Sequence, residues 1–132
     1  MIFVDTSAIV AMLALEPEAS SFAAKLEAAP ALISAPHVLL ESSMTLATVL
    51  KLRPTVADDL VTRLFHEAGI KVMPITEDIA HTAVAAFERY GKGRGRANLN
   101  FGDCLSYACV KVHGAALLFK GDDFVRTDIA RA

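Results

Sequence analysis

Four short apolar runs, separated by stretches long enough for one or two helices, constrain this chain more than any other feature of its sequence. The runs are Met1–Val4, Ala31–Ala35, Ile70–Ile75 and Ala115–Phe119, none close enough to its neighbour to close a hairpin. The first ends at Asp5-Thr6-Ser7, three residues that all cap helices, and Ala8–Leu15 continues with good helix formers. A second helical pattern follows Pro17, carries Phe22, Ala23, Leu26 and Ala29, and is closed by Pro30. Pro36 opens a long helix, His37–Leu52, with an expected buried face of Leu39, Leu40, Ser43, Leu46, Ala47 and Leu50. Pro54 breaks it, and Thr55–Ala68 repeats the period through Val56, Leu60, Leu64 and Phe65, with Gly69 as its stop. Thr76 caps Glu77–Tyr90, and Asn100 caps Phe101–His113. After the last run, Gly121-Asp122-Asp123-Phe124 turns the chain into a short terminal segment. Strands spaced by helices pair in parallel, so the expected fold is α/β: a small parallel β-sheet flanked by helices on both faces, with far more helix than strand. In such sheets the working site lies at the carboxyl ends of the strands.

At 132 residues the chain suits one domain, and 54% hydrophobic against 21% charged residues excludes intrinsic disorder. No apolar run approaches the ~20 residues of a membrane helix, and MIFVDTS lacks the basic start of a signal peptide, so a soluble, cytoplasmic protein is expected. Cys104 and Cys109 lie five apart in one helical segment, off a common face, which suits buried thiols in a reducing compartment. His37, His66, His81 and His113 form no metal-binding pair, which argues against zinc. The G-x-S-x-G, P-loop and G-x-G-x-x-G signatures are all absent. Carboxylate chemistry is what remains.

Most of the 15 acidic residues, such as Glu77, Asp78 and Glu88, fall on polar helix faces where solvation accounts for them. Others stand out. Asp5 ends the first run. Glu41 is the only acid between Glu27 and Asp58, within an otherwise apolar helix. Asp103 lies in the first turn after Asn100, and Asp122 and Asp123 follow the last run. Taken singly, Asp5, Asp103 and Asp122 or Asp123 are good caps, Asp103 as the partner of Asn100 in a variant capping box. Glu41 has no such explanation, because a partly buried carboxylate needs an arginine, a metal or a raised pKa. In a parallel sheet Asp5 and Asp122/Asp123 share an edge on which Glu41 and Asp103 can converge. Clustered carboxylates repel one another unless a cation is present, and an all-oxygen donor set points to Mg2+ or Mn2+.

Setting those acids aside leaves the rest of the chain with a basic balance. Arg89, Lys92, Arg94 and Arg96 crowd the glycine-rich stretch Gly91–Asn98, and no acid follows Glu88 until Asp103. A solvated surface loop explains such a run; its place beside Asp103 also suits contact with phosphates on an anionic substrate.

The segments Met1-Ile2-Phe3-Val4-Asp5-Thr6-Ser7-Ala8-Ile9, Leu40-Glu41-Ser42, Leu99-Asn100-Phe101-Gly102-Asp103-Cys104-Leu105-Ser106-Tyr107-Ala108 and Leu117-Leu118-Phe119-Lys120-Gly121-Asp122-Asp123-Phe124, with Thr127-Asp128, span nearly the whole chain. In this order they resemble the PIN-domain ribonucleases of the VapC type, toxins of bacterial and archaeal type II toxin-antitoxin pairs. The resemblance implies a single PIN-like nuclease domain over residues 1–132, an α/β/α sandwich, with Asp5, Glu41 and Asp103 as the acidic core. Asp122 or Asp123 is the fourth catalytic acid, and Asp123 is expected among the metal ligands with Asp5, Glu41 and Asp103. Thr6 or Ser7 supports the first aspartate, and Asn100 lies beside the third. One or two Mg2+ or Mn2+ ions would activate water for in-line displacement on RNA, leaving a 5'-phosphate and a 3'-hydroxyl and inhibiting translation. Lys92, Arg94 and Arg96 would bind the RNA backbone, the target being tRNA, rRNA or mRNA.

The resemblance also implies a homodimer and a small VapB-type antitoxin whose tail lies in a hydrophobic groove and often points an arginine at the acids. The apolar residues of Leu39–Leu52 and Val56–Phe65 are compatible with such surfaces. Two other readings exist. A catalytically silent PIN-fold binding module is disfavoured by the intact acid set. A phospho-receiver domain would use a strand-end aspartate and Lys120, but needs an acidic pair after the first strand and an aspartate ending a middle one, and the chain has neither.

Overall fold

Parallel pairing requires a crossover between consecutive strands, and each crossover in this chain is a pair of helices. The computed structural model describes residues 1–132. β1 (Ile2–Val4) leads into α1 (Thr6–Leu13) and α2 (Ala19–Ala28); β2 (Leu32–Ser34) into α3 (Pro36–Leu50) and α4 (Pro54–Ala68); β3 (Ile70–Val72) into α5 (Glu77–Tyr90) and α6 (Phe101–His113); β4 (Ala116–Leu118) ends the series. The sheet order is β3-β2-β1-β4, and all three pairings are parallel. Right-handed crossovers carry the chain one way from β1 to β3 and back for β4, which sends α1–α4 to one face and α5 and α6 to the other. Helix packing agrees: α1 meets α2, α3 and α4, while α5 packs on α6. Direction reverses beside β1, so the carboxyl ends of β1 and β4 form the switch point where such sheets bind ligands.

Helices supply most of the core, because each strand is only three residues long. A cluster of 33 buried residues joins Phe3, Val4 and Leu117 of the sheet to Ile9, Leu46, Val61, Ile79 and Cys109 of the helices. Both cysteines are buried free thiols.

The structure corrects several limits read from the sequence. α1 begins at Thr6 rather than Ala8, because Asp5 is itself the cap and accepts from the Ser7 N–H. β3 stops at Val72 rather than Ile75, since Pro74 has no N–H to continue the ladder. Pro54 opens α4 as its first residue; what ends α3 is Lys51, in the left-handed region at φ 53°. The buried face of α3 is Val38, Ser42, Ser43, Leu46 and Ala47, and Leu40 is 59% exposed. The buried face of α4 likewise runs through Ala57, Val61 and Phe65, with Val56 outside. The terminal segment pairs Arg131 with Leu117 in parallel, covering the outer edge of β4.

Candidate active site

Asp5 follows β1 and is anchored to the neighbouring strand by its N–H, which donates to Leu118 O at 3.1 Å. Its side chain is buried and held on both oxygens. Oδ2 accepts from Ser7 N at 3.1 Å and Ser7 Oγ at 2.7 Å, and Oδ1 accepts from Ser106 Oγ at 3.1 Å. Ser7 Oγ in turn accepts from the Lys120 N–H at 2.9 Å, tying the two strand ends together. Burial raises the Asp5 pKa against the pull of these hydrogen bonds.

Glu41 reaches the same place from α3, its carboxylate lying so close over Gly102 that a Cβ there would overlap it. Burial and then the Asp5 charge push its pKa up. Asp103 sits in the first turn of α6 and closes a capping box: it accepts from Asn100 N at 3.1 Å while Asn100 Oδ1 accepts from Asp103 N at 2.9 Å. Its pKa is pushed up to about 7 by burial, then by the charges of Asp123, Asp5 and Glu41, against the Asn100 N–H. Capping and clustering therefore coexist in Asp5 and in Asp103.

Asp5, Glu41, Asp103 and Asp123 line one cleft of about 400 Å³, together with Thr6, Ser7 and Asn100. Asp122 does not; it borders an adjoining hollow with Arg96 and Arg126, which Asp123 also touches. The cation of the cleft wall, Lys120, is engaged by Glu16 at 3.0 Å and Glu18 at 3.1 Å. Of the basic loop residues, the structure brings Arg96 towards the acids. It directs Arg94 onto the Phe87 ring, 5.2 Å from its centroid, and Lys92 to an apolar hollow against α5.

Whether these residues suit a divalent ion is decided by donor chemistry and spacing. The donors are all oxygen, repel one another, and include a buried Thr6 hydroxyl with no protein partner. No three of the carboxylates stand close enough to grip one ion as placed. Mg2+ does not require that, since it is held by one or two carboxylates and keeps several waters. The site fits such an ion.

Residues 2–130 match the PIN domain family. Ribonuclease VapC30 of Mycobacterium tuberculosis is 43% identical over 131 residues, covering 96% of this chain and 95% of that protein. The chain belongs to the PIN-domain family, among its VapC ribonucleases. Ribonuclease VapC of Mycolicibacterium smegmatis is 40% identical over 130 residues, 96% of each protein. The fold matches the crystal structure of Mycobacterium tuberculosis VapC20, a toxin that cleaves the sarcin-ricin loop, with a TM-score of 0.78 at 19% identity over 100% of this chain and 98% of that one. A toxin-antitoxin complex from Klebsiella pneumoniae superposes with a TM-score of 0.70 at 20% identity, covering 97% and 93%. The phospho-receiver alternative falls with this membership, and neither β2 nor β3 ends in an aspartate.

In this PIN domain, sequence reasoning passed over Gly102, Ser106 and His37. Helical spacing offered a signal: Ser106 is three residues beyond Asp103 on α6, and His37 four before Glu41 on α3, so each shares a face with an acid.

Proposed function

We propose that this VapC-family PIN domain is a cytoplasmic endoribonuclease toxin that hydrolyses RNA phosphodiesters with Mg2+ or Mn2+ bound in the cleft of Asp5, Glu41, Asp103 and Asp123, by one or two of these carboxylates directly and the others through its waters. The observation that carries this is the convergence of those carboxylates on one cleft at the switch point of the sheet, three of them with raised pKa. A bound divalent ion supplies Lewis-acid stabilisation of the phosphate and a water acidic enough to attack at neutral pH. The protein's part is placement. Ser7 and Ser106 fix the Asp5 carboxylate, the capping box fixes Asp103, and Gly102 leaves room for Glu41. Asp123 closes the remaining side, and Arg96 beside it offers the RNA backbone a guanidinium. No side-chain nucleophile is required.

The same reading includes inhibition of translation, a VapB-type antitoxin and a homodimer. A hollow between α3 and α4, lined by Leu39, Leu40, Met44 and Pro54, supports the first partner. An apolar hollow between α5 and α6, beside the 84% exposed Phe101, supports the second.

The test is end-labelled total RNA incubated with purified chain freed of antitoxin, in Mg2+, Mn2+ or EDTA. Discrete metal-dependent cuts that vanish in folded Asp5→Asn and Asp103→Asn are expected, and their position distinguishes tRNA, rRNA and mRNA. Undiminished cutting by either mutant overturns the assignment of the acids. A folded wild type that binds metal and RNA without cutting replaces hydrolysis with a binding role.

A further inference from the structure

A ring nitrogen buried without a partner costs stability, and the half-buried His37 carries one. It is the second residue of α3, its ring stacked on Phe3 of β1 with centroids 6.4 Å apart and planes inclined by 22°. Nδ1 is buried with no partner. Nε2 lies 2.9 Å from Ser106 Oγ, and Ser106, only 1% exposed, donates to Asp5 Oδ1 at 3.1 Å. Proton counting fixes the direction of this chain. An ionised carboxylate only accepts, so the single Ser106 proton points at Asp5, and the hydroxyl must accept from His37. His37 therefore carries its proton on Nε2 and leaves Nδ1 bare. Burial holds its pKa down at about 4, so the ring is neutral in neutral solution. Packing does not ask for histidine here, since an apolar side chain would cover Phe3 without burying an unpaired nitrogen.

We propose that His37 and Ser106 are positioning residues, a relay of His37 Nε2–H to Ser106 Oγ–H to Asp5 Oδ1 that orients the Asp5 carboxylate for a divalent cation. The proposal rests on the reading of the acidic cleft as a metal site. The other oxygen is held by a relay of the same form, Lys120 N–H to Ser7 Oγ–H to Asp5 Oδ2, whose outer donor is backbone. With both oxygens held the carboxylate is fixed in orientation, and the acceptor site left on Oδ1 serves the cleft. Groups that orient metal ligands in this way change metal affinity by about 10- to 100-fold when removed.

The experiment measures Mn2+ affinity of the full chain by titration calorimetry, with a thermal melt of each variant. Asp5→Asn should lose Mn2+ binding. Ser106→Ala should weaken it by about 10- to 100-fold, and His37→Leu should weaken it at an unchanged or higher Tm. His37→Gln, whose amide N–H can replace Nε2–H, should restore affinity, which a purely packing role for the ring would not produce. Should Ser106→Ala fail to fold, Ser106→Cys keeps the volume with a much weaker donor and gives the same comparison. Wild-type affinity in the folded Ser106 and His37→Leu variants, with none in Asp5→Asn, overturns the relay and leaves the cleft standing. Absence of Mn2+ binding by the wild type overturns the metal site and the relay with it.

Discussion

Gly102 matters for the side chain it lacks. It is buried in the first turn of α6, and the space its Cβ would occupy is filled by the Glu41 carboxylate. Its backbone is helical, so alanine is conformationally acceptable there, although in the first turn its advantage over glycine is smaller than the roughly 1 kcal/mol of a helix interior. The neighbour that must yield is the flexible end of Glu41 rather than backbone, which keeps the stability cost small. Gly102→Ala should therefore melt close to wild type while cleaving RNA roughly 10- to 100-fold more slowly, because Glu41 is pushed off its position. Paired melts and cleavage rates check this; an unchanged rate would mean that Glu41 works from another rotamer.

At the scale of elements, the parts that were legible are those written in local chemistry. Thr76 and Asn100 as caps and Gly69 as a stop set the limits of helices correctly, and α5 and α6 run over Glu77–Tyr90 and Phe101–His113 as expected. The alternation of apolar runs with helices was enough for the parallel sheet. Features set by tertiary contact were not legible. The rotation of α3, which buries Ser42 and Ser43 and exposes Leu40, depends on its being packed by α1, α4 and α6 at once. Asp122 and Asp123 are adjacent on a turn, and only the path of the chain decides which faces the cleft. The Gly91–Asn98 loop is a similar case. The Gly91 to Leu99 bridge closes it, and of its three cations Arg96 lines a hollow with Asp122 and Asp123. Arg96→Ala should weaken RNA binding across sequences and reduce the slope of log K against log salt by about 1. Arg94→Ala and Lys92→Ala should change it less. Binding isotherms over a salt series separate these outcomes, and equal slopes in all three variants would return the loop to the role of solvated surface.

For the whole molecule, acids and bases pull stability in opposite directions with pH. Asp103, with a folded pKa of about 7 against an ordinary value of 3.8, favours folding below its unfolded pKa, and this contribution is lost as pH rises through about 7. Asp5 and Glu41, also raised, act with the same sign. His37 acts oppositely: with its pKa lowered to about 4, its contribution is present above 6.5 and lost as pH falls towards 4. Asp128, brought down to about 2 by hydrogen bonds from Lys111 and Tyr107 and by the Lys111 and Arg89 charges, matters only under stronger acid. Between about pH 4 and 6.5 the His37 and Asp103 contributions offset one another, so the metal-free chain should lose Tm chiefly as pH rises from about 6 towards about 8, where the cleft carboxylates are ionised and unscreened. Mn2+ should raise Tm more at about pH 8 than at about pH 6, because its ligands must be deprotonated. Asp103→Asn should flatten the metal-free decline. Melting curves from mildly acidic to mildly alkaline buffer, with EDTA and with Mn2+, test all three. A metal-free profile that stays level through neutrality would show that the carboxylates do not share one electrostatic site, whatever cleft they line.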